Sequence, residues 1–150
     1  MRIKKLLATA LVAFAIASLI ALVVCEKRRP PEQPPPPEPL PDAVIVFYFH
    51  GNARDPKCKN VEAYTHEVLE ESFADPLKEG KIVWRVLNYE DPENNRFKSD
   101  FRIVASCIVL ADARSDPCIA KNLQKKAGEL VDDKEAFKEY VRGQIEEVLK

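Results

Sequence analysis

Residues 46–58 read VFYFHGNARDPKC and lead from an apolar strand through a polar loop into the start of a helix. The apolar run begins at Ala43 and is rich in branched and aromatic residues, which is typical of a central strand buried on both faces. Asp55 followed by Pro56 marks the helix start, because a carboxylate caps free N–H groups and proline fits the first helical position. The first turn of that helix carries one cysteine, Cys58, whose role depends on the surrounding fold.

Three more strands are predicted downstream of this stretch. In residues 81–89 (KIVWRVLNY), Ile82, Trp84 and Val86 alternate with Val83, Arg85 and Leu87, and residues 106–111 (SCIVLA) form a further apolar run. Residues 118–120 (CIA) are predicted as a fourth strand, joined to the third by a tight turn around Arg114 and Ser115.

Helices are predicted between and after these strands. The pair Asp91 and Pro92 repeats the capping pattern of Asp55 and Pro56. A short helix is expected after residue 122. The last helix is expected to begin at residue 132 or 133, with Glu135 placed for a capping box.

The predicted order is strand, helix, strand, helix, strand, strand, helix. A helix between the first two strands implies a right-handed parallel crossover. The hairpin and the last helix then complete an α/β domain, a mixed four-stranded sheet flanked by helices. This is the core topology of a thioredoxin-like fold, which we expect over residues 43–150.

The first 25 residues predict an attachment to a membrane. Three basic residues precede residues 6–24, which carry no charge and are long enough to cross a bilayer, since a helical span needs about 20 residues. We expect a transmembrane or signal-anchor helix. The alternative is a lipoprotein-type signal that ends before Cys25, although Val24 is larger than the residue such a site normally has.

A proline-rich linker, residues 26–42, follows the anchor. Its sequence RPPEQPPPPEPLPD favours a stiff polyproline II spacer. The short N-terminal tail is typical of a signal-anchor, so we expect the folded domain outside the cytoplasm at the cell membrane. The chain has 23 basic and 24 acidic side chains and no basic stripe, so a nucleic acid partner is not expected.

The stretch YFHGNARDPKCKNVEAY resembles a bacterial thioredoxin-like family known as nitrophenyl compound nitroreductase subunits. Members of that family have Phe-His-Gly, then an arginine, Cys-X-X-Cys and a helix that begins near Ile/Val-Glu. The matching residues here are Phe49, His50, Gly51, Arg54, Cys58, Val61 and Glu62. The chain has no glycine-rich phosphate loop for a flavin or nicotinamide, so we expect no cofactor and do not transfer the reductase activity.

Asp55 stands where the family has the first cysteine of its motif. In a thioredoxin-like site that cysteine attacks the substrate disulfide, and a carboxylate cannot. Asp55, Pro56 and Lys57 therefore form a degenerate motif ending at Cys58. We expect Asp55 to accept a hydrogen bond from the N–H of residue 57 or 58, and dithiol oxidoreductase activity to be lost.

The resemblance also implies a place for Cys107. In thioredoxin folds a cis-proline precedes the third strand and packs against the active-site cysteines, whereas this chain has Ala105 and Ser106 there. Cys107 is therefore expected near Cys58, and the two are candidates for a disulfide. Cys118 is a rival partner for Cys107.

The function expected from this sequence is that of a membrane-tethered binding or accessory module with a protein partner. His50 and Arg54 are candidates for its binding surface, and Gly51 is expected to provide unusual backbone angles at the turn. The alternative is a thiol-active redox protein that uses Cys58 alone or with Cys107. No metal site is expected, because the nearby His, Asp and Cys residues lack paired ligand spacing.

Overall fold

The structure, a computed structural model, describes residues 41–150. The predicted anchor, residues 1–25, and the linker up to residue 40 lie outside the described residues. Within residues 41–150, no helix combines the length and the apolar character needed to cross a membrane.

Four strands and five α-helices make up the domain over these residues. The strands are β1 (Val44–His50), β2 (Ile82–Asn88), β3 (Cys107–Asp112) and β4 (Ile119–Asn122). The helices are α1 (Pro56–Ser72), α2 (Ala74–Lys78), α3 (Asn95–Asp100), α4 (Gln124–Leu130) and α5 (Lys134–Leu149). A 3₁₀ turn, Pro92–Asn94, precedes α3.

The strands form one mixed sheet in the order β2-β1-β3-β4. β1 pairs in parallel with β2 and antiparallel with β3, and β3 pairs antiparallel with β4. Residues 44–49 of β1 are fully buried, as expected for a central strand covered on both faces. The predicted α/β domain, a mixed four-stranded sheet flanked by helices, is confirmed.

Alternation along the strands divides the core into two clusters on opposite faces of the sheet. The α1 face carries side chains packed with α1 and α5, among them Tyr48, Cys58, Leu69, Ile108, Phe137 and Ile145. The α3 face carries side chains packed with α3, among them Phe47, Phe49, Phe97, Ile103, Cys107 and Val109. The first turn of α1, which carries the candidate motif, lies over the α1 face.

Two of the three predicted helix caps are confirmed. Asp55 caps α1, and Asp133 caps α5 by accepting a hydrogen bond from the Ala136 N–H at 3.1 Å. Glu135 lies one position too early to complete the predicted capping box. Asp91 was predicted as a cap and makes no capping hydrogen bond; its carboxylate accepts from the Asn88 side chain at 3.1 Å instead.

The connection between the last two strands has the predicted length but begins and ends one residue later. β4 begins at Ile119, so Cys118 belongs to the loop of residues 113–118 and is exposed. Arg114 lies in a turn, as predicted, and both its N–H and its guanidinium bind the Asp112 carboxylate. These bonds hold the start of the loop against the end of β3.

Candidate functional site

The Asp55 carboxylate closes the N-terminus of α1. Its backbone is extended, with φ −74° and ψ 170°, and its Oδ1 accepts a hydrogen bond from the Cys58 N–H at 2.7 Å. Pro56 occupies the first helical position, where its missing N–H leaves no donor unsatisfied. Lys57 is exposed and its Nζ lies 2.5 Å from an Asp132 carboxylate oxygen. The degenerate motif is thus a capped helix start with an ion pair on its outer side.

The Cys58 thiol is buried beneath this cap, with 7% of the residue exposed. The Tyr48 hydroxyl donates to the Cys58 carbonyl oxygen at 2.6 Å and lies 2.7 Å from the Cys58 Sγ. The thiol donates to the Ser106 Oγ at 3.3 Å. Polar neighbours from β1 and from the residue before β3 therefore satisfy the thiol inside the protein.

Tyr48 remains a neutral phenol within this network. Burial, and then its hydrogen bond with Cys58, raise the pKa of Tyr48 well above its ordinary value of about 10. The hydroxyl has one proton to donate, and the Cys58 carbonyl can only accept. Tyr48 thus links the centre of the sheet to the first turn of α1.

Cys107 lies on the other side of the sheet from Cys58. It belongs to the α3 face, whereas Cys58 belongs to the α1 face, and both thiols are free. Cys107 follows Ser106, the residue that the Cys58 thiol contacts, but its side chain points to the opposite face, and the candidate disulfide with Cys58 is not formed. Burial raises the pKa of Cys107 to about 12.

Cys118 is the third free cysteine of residues 41–150. It is exposed on the loop before β4. The alternative disulfide, between Cys107 and Cys118, would require Cys118 to lie beside the buried Cys107. Burial of part of its thiol, followed by the nearby Asp112 carboxylate, raises the pKa of Cys118. Neither predicted cysteine pairing is formed.

Gly51 follows β1 for a reason other than the one predicted. Its φ lies outside the left-handed region, so the turn makes no special demand on its backbone. A Cβ there would lie 2.9 Å from the Tyr89 Oη and 3.2 Å from a Glu90 carboxylate oxygen. A side chain at position 51 would therefore displace the ends of these two side chains, and His50 beside it binds the Gly51 carbonyl oxygen through Nδ1 at 2.9 Å.

Arg54 lines an open groove of about 520 Å³ next to the motif. Its guanidinium pairs with Glu62 and lies 6.0 Å from the centre of the Tyr48 ring, while its Nε is buried without a hydrogen-bond partner in the described residues. The other lining residues are Glu62, Lys59, Ala63, His66 and Trp84. His50 is not among them, so only Arg54 of the two predicted surface residues faces this groove.

Sequence reasoning did not single out Tyr48, Ser106 or Trp84 as parts of this region. Tyr48 and Trp84 have the pattern of ordinary strand residues, because their place on the α1 face follows from alternation but the hydrogen bonds of Tyr48 and the groove beside Trp84 do not. The only signal for Ser106 was its position before the third strand, where a polar residue replaces the expected proline.

The described residues contain no group of three or more His, Cys, Asp or Glu side chains arranged to hold a metal ion. No protein-family model matches the chain, and no curated protein matches its sequence. Within residues 41–150, the fold and this site define an α/β domain with a capped, single-cysteine helix start on a mixed sheet.

Proposed function

We propose that the chain is a membrane-tethered thioredoxin-like domain whose redox motif is degenerate and which acts as a binding or accessory module. One observation carries the proposal. The Asp55 Oδ1 accepts the Cys58 N–H at 2.7 Å, at the place where a dithiol site would hold its attacking sulfur. A helix N-terminus lowers the pKa of a thiol through its free N–H groups and its dipole, and here a carboxylate already takes up those interactions.

The strand order β2-β1-β3-β4 supports the thioredoxin-like assignment. Its parallel β1–β2 pair is joined through α1, and its antiparallel β3–β4 pair is followed by the long α5, which is the order the sequence predicted. The attachment to a membrane rests on residues 1–25 of the sequence.

The alternative function, a thiol-active protein using Cys58 alone or with Cys107, draws less support from the geometry. Cys107 is on the opposite face, and its raised pKa keeps it a protonated thiol at neutral pH. Cys58 is buried and hydrogen-bonded on three sides by Tyr48, Ser106 and its own helix cap.

Cysteine alkylation tests the proposed function. The full chain, in detergent micelles, is treated with iodoacetamide at pH 7.5, and the modified residues are located by peptide mass spectrometry. We expect Cys58 to react at least about tenfold more slowly than glutathione, because alkylation requires a local opening. Exposed Cys118 serves as the internal control for accessible thiol, and a urea-unfolded sample shows that every cysteine can be modified.

A Cys58 that reacts faster than glutathione, and still does so at pH 6, contradicts the proposal. Such a rate requires a low-pKa thiolate, which is the property of an active redox or nucleophilic cysteine.

A further inference from the structure

Within residues 41–150, the outer edge of β2 has no strand beside it. There β2 pairs with β1 alone and is the first strand of the sheet. The Val44 N–H donates to the Lys81 carbonyl at 2.9 Å, and the Tyr89 N–H donates to the His50 carbonyl at 2.9 Å. Alternate residues of a parallel strand point their backbone N–H and C=O groups to the same side. The backbone groups of residues 83, 85 and 87 therefore face β1, and those of Ile82, Trp84 and Val86 face away from it.

The outward N–H and C=O groups of Ile82, Trp84 and Val86, here called the β2 edge, have no backbone partner in the described residues. The next outward carbonyl, that of Asn88, accepts from the Asp91 N–H at 3.3 Å and from the Asn94 side chain at 2.9 Å. The open edge therefore ends at Val86. A row of free strand groups of this kind is a template for an added strand.

Basic side chains beside the β2 edge give it a positive charge. Lys59 lines the groove next to Trp84, and Arg85 lies on the opposite face of the strand. Neither forms an ion pair in the described part of the chain, whereas the nearby Glu62 carboxylate pairs with Arg54. The edge is thus bordered by unmatched positive charge on both faces, with exposed Val86 as an apolar contact.

We propose that the β2 edge binds an extended acidic segment of a partner protein, which adds to the sheet as a fifth strand. Main-chain hydrogen bonds to Ile82, Trp84 and Val86 hold the segment, and its carboxylates lie near Lys59 and Arg85. This names the partner class of the binding module and so rests on the proposed function.

Two other occupants fit the edge less well. Residues 30–41 of this chain contain eight prolines, which lack the N–H that the edge carbonyls require. A second copy would bring Lys59 and Arg85 of two identical edges together, and like charges across paired strands are destabilising.

The test uses an acetylated, amidated peptide, Asp-Val-Glu-Val-Thr-Val-Glu-Val-Asp, N-methylated along one edge so that it cannot stack on itself. It is added to the full chain in detergent micelles. Trp84 is the single tryptophan of the chain, so its fluorescence reports binding at the edge. We expect saturable binding, with new hydrogen-exchange protection at the amides of residues 82, 84 and 86 and no change at residues 83, 85 and 87.

Three controls define the contact. A peptide N-methylated along both edges should not bind. A peptide with lysine in place of each acid should bind about tenfold more weakly, and Arg85→Glu combined with Lys59→Glu should reverse that preference. Val86→Pro removes one outward N–H and leaves the pairing with β1 intact, so it should abolish binding while near-UV circular dichroism is unchanged.

Several results would overturn the proposal. These are no binding at millimolar peptide, equal binding to the Val86→Pro variant, or protection at residues 82, 84 and 86 without peptide. If that peptide-free protection grows with protein concentration, the occupant is a second copy; if it is independent of concentration, the occupant is the chain itself. If the peptide does not bind while Cys58 is still alkylated slowly, the proposed function stands and only the binding at the β2 edge is contradicted. If Cys58 is alkylated fast, the proposed function is contradicted whether or not the peptide binds.

Discussion

The Asp55 carboxylate and the Cys58 backbone N–H are joined by a 2.7 Å hydrogen bond across the first turn of α1. The same turn is held from below by the Tyr48 hydroxyl, which donates to the Cys58 carbonyl at 2.6 Å. The Asp55 cap and Tyr48 of β1 thus both hold the backbone of Cys58 in place. Asp55 therefore serves to stabilise the start of the helix.

The first prediction concerns the contribution of this cap to stability. Asp55→Ala should lower the free energy of unfolding by about 1 kcal/mol, because the Cys58 N–H loses its acceptor. Urea denaturation of the full chain measures the change. Asp91→Ala is the matched control: Asp91 also precedes a proline but makes no capping bond, so its change should stay within about 0.5 kcal/mol. Equal losses in the two variants would show that Asp55 is not a functioning cap.

The second prediction concerns pH and the Asp112–Arg114 pair. Hydrogen bonds from the Arg114 side chain lower the pKa of Asp112 in the folded state. The stabilisation is therefore complete above the unfolded pKa of about 3.9 and is lost as the pH falls through the lower folded value. Asp112→Asn should be less stable than the native chain at pH 7, and the difference should disappear at more acidic pH.

Urea titrations at pH 7 and at pH 3 or below measure this difference, with exposed Asp100→Asn as the control. A difference between the native chain and Asp112→Asn that is the same at both pH values would contradict the assigned direction of the pKa shift.

Some features could be predicted from the sequence because they depend on local patterns. The central strand followed from an apolar run long enough to be buried on both faces, and the Asp55 cap followed from a carboxylate before a proline. The same pattern at Asp91 failed, since a 3₁₀ turn comes first and Asn88 takes up the carboxylate. Helix α2 is too short for an apolar period to reveal it.

The site could be predicted less fully than the fold, because it depends on which face of the sheet each residue of a strand points to. Whether Ser106 or Cys107 faces Cys58 changes with a shift of one residue, and each choice sends the other side chain to the opposite face. The close approach at Gly51 depends on where the Tyr89 hydroxyl lies, and Tyr89 is far along the chain. Long-range packing decides both.

The third prediction concerns the membrane attachment. Deleting residues 1–24 should move the protein from the membrane fraction to the soluble fraction with its near-UV circular dichroism intact, because both core clusters lie within residues 43–149. Insolubility or an unfolded fragment would contradict the boundary near Ala43. Cys25→Ser distinguishes the two kinds of attachment: it releases a lipoprotein and leaves a helical anchor in place.

The fourth prediction rebuilds the missing half of the motif. Asp55→Cys places a second sulfur at the N-terminus of α1, where the N–H groups and dipole should lower its pKa from the free value of about 8.5. The two thiols can then form a disulfide, passing two electrons and two protons to oxidised glutathione. The lost carboxylate cap costs about 1 kcal/mol, which a stable domain tolerates. Asp55→Cys combined with Cys58→Ala is the control, since it cannot form this bond.

Insulin reduction with dithiothreitol as the electron donor tests the central claim most directly. The Asp55→Cys variant should reduce insulin, at a rate that the absence of a proline before β3 can keep low, while the native chain and the double variant should not raise the rate above dithiothreitol alone. A native chain that reduces insulin as fast as Asp55→Cys would contradict the claim that this motif has lost its dithiol chemistry.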